Sequence, residues 1–140
     1  MAPDGQSITA PTADELARLA EQRAAIEGLV AQDEENLAKL RTAAGKLGTI
    51  RAILDAGVFR PEQTYELQCL GVLLGDAFVL ELGMEWVTVE DEHGRDPAVR
   101  VPGTSTLLFP LTMISKRVER GEAVDVFDLF NGIAARVDGL

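Results

Sequence analysis

The chain has 140 residues, of which 46% are apolar, and a formal net charge of −10. This length and apolar content suffice for one domain with a hydrophobic core. The negative charge argues against nucleic acid as a partner, because neutralising phosphates requires clustered lysine and arginine. A single cysteine excludes a disulfide framework and is typical of a reducing compartment. The first residues lack a secretory signal, and no apolar run is long enough to cross a bilayer, so we expect a cytoplasmic protein without membrane contact.

Composition divides the chain into three predicted regions. Residues 1–11 are rich in proline, glycine, serine and threonine, which is typical of a flexible tail. Residues 12–57 form a helical region, because their apolar residues recur at helical spacing. Residues 58–140, where helical and strand periods both occur, form a compact α+β domain.

The helical region begins with a capping box, in which Thr12 and Glu15 have the required spacing. A long helix over about 13–43 then presents an apolar seam made of Leu16, Leu19, Ile26, Val30, Leu37 and Leu40. Gly28 can interrupt this helix, and Asp33 stands where a seam residue is due, so two shorter helices are an alternative. The seam packs either on the rest of the same chain or on a second copy, in a homodimer formed through the N-terminal helices.

The most apolar stretch of the chain predicts a central helix. Pro61 suits its first position, and Gly83 suits the left-handed residue that ends it. Apolar residues cover nearly the whole circumference of this helix, which is typical of a helix covered on several sides. Gly71 and Gly75 lie one turn apart and remove side chains along one line, so we expect another element to approach the backbone there.

Beyond Gly83 the apolar period changes from helical to alternating. Residues 85–90, 98–101 and 106–109 predict three antiparallel strands of a meander. Pro110 can open a helix that stops at Gly121, and residues 124–137 predict a second, amphipathic helix. The predicted fold is therefore α+β: an N-terminal helical arm, a central buried helix on a three-stranded antiparallel meander, and two C-terminal helices.

Asp76 is a carboxylate within the central helix, and burying it without donors would be costly. A structural anchor is the favoured interpretation, with a solvated side chain and a ligand-binding carboxylate as alternatives. The expected donors lie on later parts of the chain: Arg100, Lys116, Arg117, Arg120 or the backbone amides of residues 103–106.

Acidic residues are concentrated between Asp76 and Asp96, which contain seven acids and one base. Such a segment could attract a basic partner. The hairpin turn gathers Asp91 and Glu92 beside the only histidine, His93, but without the spacing of a metal site. The chain also lacks a phosphate-binding loop, a nucleophile elbow and a dinucleotide fingerprint, so we assign no catalytic residue, metal or cofactor.

Four pieces of sequence occur in an order that resembles a known family. They are LGVLLGD (70–76), LGMEWVTVEDEHGRDPAV (82–99), FP (109–110) and ISKRVERGE (114–122). The likeness covers about 70–130 and is to the bacterial family named domain of unknown function 3806. It implies an α+β domain and no established activity. The positions that match the pattern are Asp76, Trp86, Asp91, Gly94, Pro110 and Arg117.

Two function hypotheses follow. The first is a non-enzymatic protein-interaction domain, in one version an immunity- or antitoxin-type protein that covers a basic partner with residues 76–96. The second is a small-ligand-binding or enzymatic domain with a pocket lined by Asp76, Trp86 and Arg117. The candidate partner- or ligand-binding residues are Asp76, Trp86, Asp91, Glu92 and Arg117.

Overall fold

The structure, a computed structural model, describes residues 5–139. Its elements in chain order are β1 (Ser7–Thr9), α1 (Ala13–Val30), α2 (Glu34–Lys39), α3 (Ala43–Asp55), α4 (Thr64–Leu82), β2 (Glu85–Asp91), β3 (Gly94–Arg100), β4 (Leu107–Leu108), α5 (Pro110–Glu119) and α6 (Val126–Asp138). The predicted α+β class is confirmed.

The N-terminal helical region contains three helices rather than one long helix. The Thr12 hydroxyl accepts from the Glu15 amide and the Glu15 carboxylate accepts from the Thr12 amide, which completes the predicted capping box. The expected break occurs at Asp33, because its side chain accepts from two amides at the start of α2 and thereby caps that helix. Gly28 lies inside α1 and does not interrupt it.

Helix α4 forms the centre of the hydrophobic core. It packs against α1, α3, α5 and α6 and against the sheet. The helix begins at Thr64 rather than at Pro61, and it ends at Gly83, whose φ of 67° is the left-handed geometry predicted there. Phe78 of α4 stacks on Phe130 of α6 with ring centroids 5.1 Å apart. Both aromatic rings are buried, so this pair fixes the C-terminal helix on the central one.

The sheet has four antiparallel strands in the order β1-β2-β3-β4. The predicted three-stranded meander is present, and the chain adds a strand at its edge. Residues 7–9 pair with β2, with Ser7 opposite Glu90, so the prediction of a flexible tail over residues 1–11 is wrong for this segment. Residues 1–4 of that tail lie outside the described residues. The pairing provides these three residues with backbone hydrogen-bond partners that a frayed tail lacks.

The carboxylate of Glu15 joins helix α1 to strands β2 and β3. Glu15 accepts a hydrogen bond from the Thr88 hydroxyl of β2 at 2.9 Å. It also accepts from Arg95 of β3, through Nε at 3.1 Å and Nη2 at 3.0 Å. These hydrogen bonds, with that of the Thr12 amide, lower the pKa of Glu15 from 4.5 to about 2. The carboxylate therefore caps its own helix and joins that helix to two strands.

The C-terminal helices follow the prediction closely. Pro110 occupies the first turn of α5, where its missing N–H leaves no hydrogen bond unmade, and Gly121 follows the helix with a φ of 74°. Asp125 caps α6 by accepting from the amide of Asp128. Within the described residues, the helices are too short or too polar to span a bilayer.

Candidate functional site

Asp76 and Trp86, two of the five candidate residues, meet at the junction of α4, α1 and β2. The guanidinium of Arg23 on α1 donates two hydrogen bonds to the Asp76 carboxylate, from Nε to Oδ2 at 2.6 Å and from Nη2 to Oδ1 at 3.0 Å. The indole Nε1 of Trp86 donates to the same Oδ1 at 3.0 Å. The side chain of Asp76 is only 12% exposed. One carboxylate thus ties the central helix to a second helix and to the sheet.

The expected donors for Asp76 were wrong. All of them lie after residue 99, whereas the structure provides Arg23 and Trp86. Arg23 lies between Leu19 and Ile26 on α1, and both of those residues are buried. A cation on the buried face of a helix needs a buried anion, and Asp76 lies opposite it. The sequence did carry a signal for Arg23. It lies four residues after Leu19 and three before Ile26, which places it on the same core-facing side of the helix.

A second cation, Lys46 of α3, lies near the same carboxylate. Burial lowers the pKa of Lys46, and the negative charge of Asp76 partly offsets that effect. The hydrogen bond with Asp76 raises the pKa of Arg23. The junction is therefore a set of partly buried charges between three helices. Sequence reasoning did not identify Lys46, which follows Gly45 at the start of α3.

The two glycines of α4 face elements that approach closely, as predicted. A Cβ added at Gly71 would lie 2.5 Å from the Leu111 Cα and from the Pro110 carbonyl oxygen. A Cβ at Gly75 would overlap the ring of Trp86 and contact Pro110. The start of α5 and one indole ring therefore occupy the line that the glycines leave free. Little space remains beside Asp76 for a bound molecule at this junction.

Arg117, the third residue of the expected pocket, lies elsewhere. Its Nη1 donates to the carbonyl oxygen of Met113 at 2.7 Å, one turn earlier on α5. It faces a surface groove and makes no hydrogen bond to Asp76 or Trp86. The structure thus brings together two of these three residues.

Asp91 and Glu92 lie at the tip of the β2–β3 hairpin. Asp91 Oδ1 accepts from the His93 amide at 2.8 Å, which shapes the turn, and Glu92 lies 3.4 Å from the exposed His93 ring. Three other acids of the acidic segment pair with arginines of the same chain, namely Asp76, Glu85 and Glu90. The acids of this segment without an ion pair to Lys or Arg of the described chain are therefore Glu81 on α4 and Asp91, Glu92 and Asp96 at or beside the tip. Across residues 5–139 the structure contains no cluster of three or more side chains suited to hold a metal ion.

Cys69 lies on α4 and is fully buried. Burial raises the pKa of its thiol, so the protonated form is favoured at neutral pH. His93 is exposed at the hairpin tip, on a different element. The geometry therefore does not assemble a nucleophile and base from these two residues.

Sequence reasoning missed a groove along β4, α5 and α6, called here the α5–α6 groove. One part has a volume of about 350 Å³ and the adjoining part about 400 Å³, and Leu108, Met113 and Arg117 line both. The other lining residues are Leu107, Phe109, Thr112, Lys116, Arg120 and Glu122 in the first part and Asp128, Leu129, Gly132, Ile133 and Arg136 in the second. The basic cluster of α5 was visible in the sequence, but the apolar residues that lie beside it come from three elements.

Comparisons with known proteins give a fold and a family but no activity. A crystal structure from Bacteroides thetaiotaomicron VPI-5482 has a similar fold, with a TM-score of 0.74 at 18% sequence identity. The alignment covers 94% of this chain and 50% of that one, so this chain spans half the length of that neighbour. No curated protein sequence matches the chain.

The family model described as "Domain of unknown function (DUF3806)" matches residues 46–130. The match begins in α3, earlier than the resemblance over about 70–130, and it includes the Asp76–Trp86 junction, the hairpin and α5. Because this match extends over more than half of the chain, the protein belongs to the DUF3806 family.

Proposed function

We propose that the protein is a non-enzymatic protein-interaction domain that binds an extended acidic segment of a partner in the α5–α6 groove. The observation that carries this proposal is the combination of apolar side chains and a cluster of cations, most of them without an ion pair among the described residues, beside the open edge of β4. Aromatic, methionine and arginine side chains are the residues that protein interfaces favour.

The apolar part of the groove comes from residues at the boundary of the core. Phe109 is 37% exposed although it precedes a buried proline. Leu108, Met113 and Ile133 are partly buried and pack against the core on one side. Their other side faces the groove, so an apolar side chain of a partner would continue the core outward.

The charge of the groove is opposite to that of the whole protein. Within residues 5–139, Lys116, Arg117 and Arg136 form no ion pair, and Arg120 lies 3.8 Å from the exposed Glu122. Acids outnumber bases in this chain by ten, so four cations that line one groove are a local excess of positive charge. An acidic partner segment would supply the missing negative charges.

Strand β4 adds a backbone surface to the groove. It is the last strand of the sheet, and in the described part of the chain only β3 pairs with it. The outer edge of such a strand presents N–H and C=O groups that an added strand can bind. An extended segment is therefore the form of partner that this edge favours. Basic side chains along the groove would lie beside it.

The experiment that tests this proposal is a selection of random peptides displayed on phage against the immobilised protein. We expect enrichment of peptides that combine Asp or Glu with Leu, Ile or Phe. A double variant, Lys116→Glu with Arg120→Glu, reverses two charges of the groove and is expected to lose these peptides. The matched control is Arg41→Glu with Arg60→Glu, which reverses two exposed cations outside the groove and should retain them.

Peptides that bind the groove variant as well as the wild type would overturn the proposal. So would a selection that enriches no acidic peptide. Circular dichroism of each variant establishes that a loss of binding does not reflect a loss of fold.

A basic partner, as in immunity- or antitoxin-type proteins, is the second candidate. Asp91 and Glu92 at the hairpin tip and Asp96 nearby on β3 favour it, because they pair with no arginine or lysine of the described chain. The same selection would then enrich lysine- and arginine-rich peptides. Their binding would be abolished by Glu92→Lys with Asp96→Lys and retained by the groove variant.

A further inference from the structure

We infer that a second site, a small pocket between α1 and the helix-facing side of the sheet, binds a monocarboxylate with a short apolar body. The pocket has a volume of about 140 Å³. A cavity of about 150 Å³ lined by apolar side chains holds a benzene molecule, so this one suits a ligand of that size. It shares no lining residue with the α5–α6 groove, and the inference is independent of the proposed function.

The inner surface of the pocket is apolar. Leu19 of α1 is buried, with 4% of its surface exposed. Leu111 of α5 and Pro97 of β3 complete this surface. Three elements thus supply an apolar wall for the hydrocarbon part of a ligand.

Most polar groups of the pocket are already satisfied by each other. Arg95 donates to Glu15 through two nitrogens and to Glu90 through a third. The Thr88 hydroxyl donates to Glu15 as well. These residues form a rigid wall, since each is held by at least one charge-assisted hydrogen bond. A ligand would displace none of them.

Two polar side chains of α1 lack such partners. The Gln22 residue is only 9% exposed, but its amide reaches solvent at the pocket and makes no side-chain hydrogen bond within residues 5–139. This amide is therefore available to donate to a ligand oxygen in the pocket. Arg18 also lines the pocket and forms no ion pair within the described residues. Arg18 and Gln22 lie four residues apart, one turn along the helix, so both side chains can donate hydrogen bonds to the same ligand group.

These two donors define the chemical class of the ligand. With Glu15 paired to Arg95, the charge of Arg18 is left without a counter-ion in the lining. An anion with two oxygens can accept from the guanidinium and from the amide together, which is the geometry of a carboxylate. The limited volume restricts its body to about four to seven carbon atoms.

The test uses butyrate and benzoate as probes and their neutral amides, butyramide and benzamide, as controls. Binding is followed by nuclear magnetic resonance of the backbone amides of the full chain. We expect saturable shifts at Leu19, Gln22 and Thr88 with the carboxylates, and binding of the amides about tenfold weaker, because a charge-assisted hydrogen bond contributes at least that factor.

Variants assign the effect to the two donors. Arg18→Met retains the apolar stem and removes the charge, and Gln22→Leu replaces the amide with a side chain of similar shape. Each is expected to weaken carboxylate binding about tenfold, whereas Arg41→Met, an exposed cation outside the pocket, should leave it unchanged. Absence of saturable shifts, equal binding of the amides, or unchanged binding by both pocket variants would each overturn the inference. Should one variant fail to fold, the other variant and the comparison of carboxylates with amides still test the inference.

Discussion

At the scale of single residues, Asp76 joins the central helix α4 to α1 and to β2. Its carboxylate accepts two hydrogen bonds from Arg23 and one from Trp86, and it lies near the buried Lys46. Removing the carboxylate leaves two cations partly buried without their anion. We therefore expect Asp76→Ala to lower the free energy of unfolding by about 3 kcal/mol, measured by urea denaturation followed by circular dichroism.

A double variant distinguishes the charge from the packing at this junction. Arg23→Met with Asp76→Leu removes both members of the ion pair and retains apolar volume, so it should recover much of the stability that Asp76→Ala loses. An Asp76→Ala protein that unfolds at the wild-type urea concentration would contradict the anchoring role and would leave Asp76 free for a function in binding.

The partner of Asp76 shows why a residue can be predicted and its contacts missed. A carboxylate in an apolar helix signals a need for donors, and that need was evident from the sequence. Which donors meet it depends on the packing of α1 against α4, across a separation of 53 residues. The sequence shows Arg23 on the buried face of α1, but it does not show which helix covers that face. Local chemistry was predictable, and the long-range pairing was not.

At the scale of elements, the approach of α5 to α4 depends on a missing side chain. A Cβ at Gly71 would lie 2.5 Å from backbone atoms at the start of α5, which cannot move as a flexible side chain can. We expect Gly71→Ala to lower the free energy of unfolding by about 2 kcal/mol, because inserting volume into a packed interface forces backbone shifts. Thermal or urea denaturation measures the change.

Gly48 in α3 is the matched control for this substitution. A Cβ there meets no atom within 4 Å, and the residue lies inside a helix. Gly48→Ala should therefore raise the free energy of unfolding by up to about 1 kcal/mol through helix propensity alone. If the two glycine-to-alanine changes alter the free energy of unfolding in opposite directions, the loss at Gly71 arises from packing. Equal signs would refute the close approach as the reason for Gly71.

The attachment of α1 to the sheet depends on the ionised form of Glu15. The pKa of this residue is about 2 in the folded protein against 4.5 ordinarily, so the folded state favours the charged carboxylate. Its contribution to stability is fully present above about pH 4.5 and is lost as the pH falls toward 2. We expect Glu15→Gln to be less stable than the wild type at pH 7, and the difference between their urea midpoints to shrink between pH 4.5 and the acid limit of folding.

Glu62→Gln serves as the control for this pH dependence. Glu62 is exposed and makes no side-chain hydrogen bond with the described residues, so its variant should keep a constant, small difference from the wild type. A Glu15→Gln difference that stays constant down to pH 3 would show that the hydrogen bonds matter and the charge does not.

At the scale of the whole molecule, the individual helices and strands were predictable from the sequence, but the contacts that assemble them were not. Capping residues, left-handed glycines and alternating strands follow from a few neighbouring residues, and these were predicted. Strand β1 has three residues, too few for an alternating pattern, and it pairs with residues about eighty positions away. The α5–α6 groove likewise needs three elements to come together. Pairings of this kind are decided by the packed fold rather than by local preference.

The N-terminal helices pose the question of whether the molecule is a monomer. Leu19, Ile26 and Leu40 of the predicted seam are buried in the chain's own core, whereas Leu16 remains 50% exposed and Leu37 38%. A stable dimer buries about 1,600 Å², more than such scattered leucines supply. We expect light scattering after size-exclusion chromatography to give a monomer mass at high protein concentration. A doubled mass that Leu16→Lys with Leu37→Lys returns to the monomer value would instead establish a homodimer through these helices.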